Sequence, residues 1–330
     1  MRTFNLRKEE PLLNIASYAH GGSRAADRLT PAQIEHIRLT VSRAPEVMVK
    51  VLSQGSSDLK AVCRHFDYIG RKGDLELESD DGYQLQGQVG KDLIDDWALD
   101  IDELRPQANL TALPGRKPMK LVHKLVFSMP AGTPPEKVLS AVRNFAREEF
   151  HGQHRYAMVL HTDEPHPHAH LVLRAISENG RRLNIKKATL RHWRSQFAHQ
   201  LRGLGVAANA TERAVRGEDR TPVKDGIYRA SLRGDSTHVR TKAEGVARDL
   251  VASGKVRPEP GRRKLLATRA AVQHGWLSIA EKLVLHGDRE LAAEVARFAR
   301  RMDRPLTERE SIARVLSAHV RAQQQEVRTR

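Results

Sequence analysis

The stretch HTDEPHPHAHLVLR, His161 to Arg174, places four histidines and an aspartate within ten positions and follows them with an apolar run. Successive side chains on a strand point to opposite faces, so His168 and His170 share one face while Leu171 and Leu173 turn the other way, into a core. The preceding run, Ala157 to Leu160, also reads as a strand and leads into His161 and Asp163, which share a face with each other. If the two strands are antiparallel neighbours joined through Glu164-Pro165-His166-Pro167, the imidazoles of His161, His168 and His170 converge. That is a three-nitrogen set with open positions, the arrangement of a reactive metal site. Asp163 is at short range to orient one of the rings. An all-imidazole set leaves the ion's charge intact, which suits polarisation of a phosphate oxygen. The plainer alternative is a solvated, histidine-rich turn.

Outward from this stretch, the chain alternates strands with amphipathic helices. VMVKVLS, from Val47, is β-branched and reads as a strand, with a turn and helix cap at Gly55-Ser56-Ser57. LELESDDGYQL (75–85) reads as a hairpin turning at Asp81-Gly82. KLVHKLVFSM (120–129) is a strand, and residues 134–150 form a helix with Val138, Val142 and Phe145 on one face. A second strand covers Ala169 to Ile176. A helix then starts near Lys187 with Leu190, Trp193, Phe197 and Leu201 on one stripe, and stops near Gly203 and Gly205. Residues 86–118 carry no clear period. The order implies an α+β fold, an antiparallel sheet with flanking helices, followed by a C-terminal helical region.

The domain expectation is an N-terminal arm over 1–45, with one helix after Thr30-Pro31, then a nuclease-sized domain over 46–228. A basic linker over 229–262 and a helical region over 263–330 follow. In that last region Gly287-Asp288 breaks the helical pattern, and Thr307 with Glu310 makes a capping box.

The segment from Asp58 to Ile69 is amphipathic, with Leu59, Val62, Phe66 and Ile69 on one stripe. At 100° per residue Tyr68 points roughly 140° away from that stripe. A tyrosine is therefore presented on the open face of a helix end, beside Arg71 and Lys72, with Gly70 and Gly73 ending the helix. On its own this is equally an ordinary half-exposed tyrosine.

Composition narrows the class. The 330 residues include 56 Lys and Arg against 40 Asp and Glu, a formal charge of +16. So large an excess favours a polyanionic partner, usually nucleic acid. A single cysteine, Cys63, excludes an intrachain disulfide framework and a cysteine-based zinc site, and suits a reducing cytoplasm. No apolar stretch is long enough for a membrane span, and the N-terminal residues lack the apolar segment of a secretory signal. No GxxxxGK[ST] phosphate loop is present.

Other chemistries share parts of this spelling. His166-Pro167-His168-Ala169-His170-Leu171-Val172 fits the histidine-triad pattern of nucleotide hydrolases, in which the middle histidine is the nucleophile and no metal acts. A His-x-His on a strand also occurs in cupins, against which the long helices argue. A non-catalytic nucleic-acid binder is the third possibility.

Two features together, the tyrosine segment FDYIGRKGDLELE (66–78) and the box HTDEPHPHAHLVL (161–173), resemble the relaxases of conjugative and mobilisable elements. The likeness is to the mobilisation-nuclease branch of these HUH-type tyrosine endonucleases, which includes the agrobacterial border endonucleases. It spans about Met48 to Tyr228, with KLVHKLVFSMPAGTPPEKV and RGEDRTPV as weaker supports. Between the last two histidines, where the family usually carries a bulky residue, this chain has Ala169. The resemblance implies a relaxase-like fold. It also implies an enzyme that nicks one strand of single-stranded DNA at an origin of transfer through a 5′-phosphotyrosine intermediate. Tyr68 would be the nucleophile, and His161, His168 and His170 would bind a divalent metal ion, Mg²⁺ or Mn²⁺. Asp163 would be a base or a ligand-orienting group, and Arg71, Lys72 and His166 would be DNA contacts. Accessory relaxosome proteins and a coupling protein are the implied partners.

Overall fold

A computed structural model describes residues 29–52, 57–102, 119–218, 227, 230, 231 and 233–329. The turn expected at Gly55-Ser56, most of the N-terminal arm, the later part of RGEDRTPV and Tyr228 lie outside the described residues. The chain divides into two compact units, one of residues 42–210 and one formed by residues 1–41 with 211–330.

The 42–210 unit is built on a six-stranded sheet. In chain order its strands are β1 (Met48–Leu52), β2 (Leu77–Ser79), β3 (Gln84–Leu85), β4 (Val122–Ser128), β5 (Tyr156–His161) and β6 (His168–Arg174). Their spatial order is β1-β4-β6-β5-β2-β3, and every pairing is antiparallel. Both faces are covered, so the central strands read as nearly continuous apolar runs instead of alternating ones. On one face lie two helices, Pro135–Phe150 and Lys187–Gly203. Their stripes meet Leu125, Phe127, Met158, Leu171 and Leu173 of the sheet. The rings of Phe127, Phe145, Phe197 and Trp193 pack there with centroids 4.9–6.1 Å apart. Each fully buried side chain of this size contributes about 1.5–3 kcal/mol.

On the other face lie α2 (Leu59–Ile69) and α3 (Gly90–Asp96), counting the Pro31–Val41 helix as α1. Val62, Phe66 and Ile69 of α2 bury against Ala157, Val159 and Val172. The cap of α2 is Asp58, whose carboxylate accepts from the Ala61 N–H at 2.9 Å, one residue beyond the expected Gly-Ser-Ser cap. Helix α3 falls in the region without a legible period because it is only two turns long, and a short helix shows too few repeats to register.

In the second unit the helix expected after Thr30-Pro31 is present, and the stretch expected as a basic linker holds a further helix. The supposed arm carries α1, whose Ile34, Ile37 and Val41 pack with Trp276, Ile279, Leu283, Leu291 and Val295 of the C-terminal helices. The supposed linker over 229–262 holds the helix Thr237–Ser253, capped by Ser236. It shows little sequence period because only Val246 and Asp249 on it are buried. It is held by Asp249, which pairs with Arg257 and Arg309, and by Lys242 on Glu308. The capping box at Thr307 and Glu310 is present with both reciprocal hydrogen bonds. No helix among the described residues is long and apolar enough to cross a membrane.

Candidate active site

The β5–β6 pairing sets the histidines. His161 lies directly opposite His168, and His170 opposite Val159. Strand alternation puts all three on the α2 side of the sheet, with Val172 and Val159 next in line. One ring nitrogen from each of the three lies within 4.8 Å of the others. Their centroids are 4.6–5.3 Å apart.

Hydrogen bonds orient the rings. The Ile69 carbonyl, at the end of α2, accepts from His161 Nε2 at 2.7 Å, which leaves the lone pair on Nδ1. The His166 carbonyl accepts from His168 Nδ1 at 3.1 Å, which frees Nε2. His170 Nδ1 is buried and has no hydrogen-bond partner among the described residues. Burial pushes the His170 pKa down to about 3, helped by the neighbouring His161 and His168. Burial also lowers His161, with Arg71 and His168 adding to it and the Ile69 carbonyl opposing. Neutral imidazoles are what a divalent cation requires, and an ion bound here would take the place of Arg71 at His161 Nδ1, 3.2 Å away. The donor set therefore fits such an ion.

Tyr68 projects from the last turn of α2 and is 60 % exposed. Beyond Gly70 the chain turns through Arg71 and Lys72, both left-handed at φ 52° and 59°, and then Gly73 at φ 106°. Two consecutive non-glycine residues in that region cost about 1–3 kcal/mol each, a strain characteristic of functional sites. A side chain at Gly73 would place its Cβ 2.8 Å from the Gly87 backbone. The turn swings the Arg71 guanidinium back over the Tyr68 ring, 5.2 Å from its centroid. From there Arg71 reaches His161 Nδ1 at 3.2 Å and forms an ion pair with Asp163. Burial opposes the guanidinium charge, but hydrogen bonds with Tyr68 and Asp163 outweigh it and raise the Arg71 pKa.

The other expected residues are sorted by this geometry. Asp163 pairs with Arg71, which in turn reaches His161 Nδ1, while the Ile69 carbonyl holds His161 Nε2. Desolvation would raise the Asp163 carboxyl, but the hydrogen bond and charge of Arg71 together outweigh it and hold it below the usual range. His166 is exposed and supplies only its carbonyl to His168. Lys72 is exposed on the turn.

Sequence reading missed two groups. His65 sits one turn before Tyr68, with its ring near-parallel to the tyrosine at 6.4 Å and edge-on to His170 at 6.2 Å. Burial takes its pKa to about 3, with Lys124 and His161 adding to the effect. The signal was available, since residues three apart share a helix face. Lys124 is a buried lysine on β4, paired with Val172, and burial pulls it down to about 8. Its signal was a charge in the middle of an otherwise apolar strand.

Residues 77–202 match the family model described as "Relaxase: MobA/VirD2-like, nuclease domain". That segment belongs to the relaxase family. The histidine box lies inside the match, whereas Tyr68 and Arg71 lie just before it. Relatives of the relaxase domain include the T-DNA border endonuclease VirD2 of Agrobacterium fabrum (strain C58 / ATCC 33970), 25% identical over 219 residues, 60% of this chain and 46% of the relative. The VirD2 proteins of Rhizobium rhizogenes and Rhizobium radiobacter are 24% and 23% identical over 215 residues, 57% of this chain and 45% and 46% of theirs. The chain thus spans about half the length of the curated relatives it matches.

Proposed function

We propose that the protein is a metal-dependent, site- and strand-specific DNA endonuclease and strand transferase that nicks an origin of transfer in conjugation or mobilisation. The observation that carries this reading is that the two groups flanking the Tyr68 ring, Arg71 and His65, each also touch the imidazole cluster. An exposed nucleophile and a cation-binding set are thereby one site.

The Tyr68 hydroxyl oxygen attacks the scissile phosphorus and the bond to the 3′ oxygen breaks. The phosphate stays on the tyrosine as the 5′ end of the downstream strand, and the 3′ oxygen leaves as a hydroxyl after taking up a proton. Bond energy is conserved, so the free 3′ hydroxyl rejoins the strand by the reverse attack without ATP. His161, His168 and His170 would hold a divalent ion, Mg²⁺ or Mn²⁺, which would supply positive charge to the reacting phosphate. Arg71 meets a second phosphate oxygen, and Lys72 meets the adjoining backbone. Asp163 pairs with Arg71 and holds it in place, and the phenol gives up its proton as the bond to phosphorus forms. The partner is single-stranded DNA, with accessory relaxosome proteins and a coupling protein in the cytoplasm. The C-terminal unit adds sequence-independent DNA affinity.

The test is incubation with Mn²⁺ or Mg²⁺ and an oligonucleotide carrying the cognate nick site, read on a denaturing gel. A protein–DNA adduct that disappears in Tyr68→Phe is the expected result. Metal-independent hydrolysis that survives Tyr68→Phe but is lost in His168→Ala would overturn the reading in favour of a histidine-triad hydrolase. Binding without cleavage under either metal would leave a non-catalytic binder.

A further inference from the structure

An in-line attack needs the phenol oxygen held against a phosphorus, because misplacement by a single ångström costs orders of magnitude in rate. Tyr68 stands on an open helix face, 60 % exposed, where nothing in the buried stripe of α2 restrains it. An exposed aromatic side chain samples several rotamers. Among the described residues, two groups have recorded contacts with its ring. Arg71 covers it at 5.2 Å, but Arg71 is the phosphate contact of the proposed reaction and must be free to engage DNA. The other is His65.

His65 is set differently. Its ring lies 6.4 Å from the tyrosine ring with the planes 21° apart, an offset stack imposed by the three-residue spacing on one helix. Its other side meets His170 at 6.2 Å with the planes at 70°. His65 is not one of the three ligands among the described residues. Its Nε2 is buried and makes no hydrogen bond. His65 is half-buried, and the contacts that define its place are the two ring contacts, to Tyr68 and to His170.

We propose that His65 is a positioning residue that braces Tyr68: its ring fills the space between the nucleophile and the metal-ligand set and holds the phenol in the rotamer that faces the phosphate. This rests on the reading of Tyr68 as nucleophile. The bracing depends on an aromatic plane at position 65, not on proton transfer there. His65→Phe preserves it and His65→Ala abolishes it.

Single-turnover nicking of the cognate oligonucleotide with Mn²⁺, by the full chain, reads the catalytic side. His65→Ala lowers the rate constant of the chemical step about two- to tenfold, the worth of one aromatic pair, with oligonucleotide affinity unchanged. His65→Phe restores the rate to within about twofold of the parent. A purely structural role predicts instead that the loss follows the melting temperature and appears equally in affinity. The second readout needs no activity: the Tyr68 ring resonances, assigned by difference from Tyr68→Phe, shift when His65→Ala removes the stacked ring. If the parent forms no adduct but those resonances shift, the nucleophile reading fails and the stack stands as geometry only. Resonances unmoved by His65→Ala, or an unchanged chemical step, overturn the bracing role itself.

Discussion

Gly90→Ala is expected to damage the site from a distance. Gly90 opens α3, where that helix crosses α2. A Cβ at this position would stand 2.8 Å from the Cys63 carbonyl oxygen, 3.0 Å from Cys63 Sγ and 3.2 Å from an Asp67 carboxylate oxygen. Ordinary contact begins near 3.4 Å, so the backbone of α2 or α3 must yield by about half an ångström; the carbonyl, unlike a flexible side-chain end, cannot swing aside. Overpacking of this kind costs about 1–3 kcal/mol. Alanine's better helix propensity returns at most about 1 kcal/mol. The net loss of up to about 2 kcal/mol lowers the melting temperature of a domain of this size by up to roughly 8 °C. Because α2 carries Tyr68, the nicking rate should fall further than stability alone explains. The matched control is Gly203→Ala at the end of the Lys187–Gly203 helix, where an added Cβ meets nothing within 4 Å. The same chemical change there should be neutral or stabilise by up to about 1 kcal/mol. Calorimetry of both variants with single-turnover nicking decides the matter. A Gly90→Ala protein that melts at or above the Gly203→Ala protein would refute the steric reasoning.

Acid should unfold the relaxase domain partly through His123, which burial holds at a pKa of about 4. Its folded pKa lies below the unfolded value near 6.5. The associated stability is therefore complete above pH 6.5 and is lost as pH falls towards 4, about 3 kcal/mol in all. Urea titrations from pH 7.5 to 4 should show a shallower fall for His123→Gln, and parallel curves would contradict this. His170→Ala should weaken Mn²⁺ binding by more than about tenfold in calorimetric titration, whatever the state of the DNA, whereas an unchanged affinity would remove His170 from the ligand set. Arg297, Arg300 and Arg301 are exposed at the end of their helix with no carboxylate partner among the described residues. Replacing all three with Gln should reduce the slope of log affinity against log salt by about 0.7–0.9 per residue, depending on whether the probe is single- or double-stranded. No change in slope would mean that this surface does not meet DNA.

Local pattern carried much of the molecule. Alternation along β6 placed His168 and His170 on one face and two leucines in the core, and the 3.6-residue stripe of α2 turned Tyr68 outward. Both follow from the period of a single element, which needs no knowledge of its neighbours. The hairpin at Asp81-Gly82 and the capping box at Thr307 are likewise short-range chemistry. The domain outline was less legible. Helix α1 belongs with helices some 230 residues later, and the Thr237–Ser253 helix buries too narrow a face to leave a period.

The amino-acid sequence by itself determined which side chains share a face: His168 with His170, and Tyr68 opposite Val62, Phe66 and Ile69. Only the tertiary structure decided what each face meets. Arg71 came between Asp163 and His161, the Ile69 carbonyl took the orienting role, and His65 came to stand between Tyr68 and His170. The physical reason is distance along the chain. Periodicity acts within a few residues, whereas Arg71 and His161 meet across ninety positions through a left-handed turn and a strand register that no local repeat encodes.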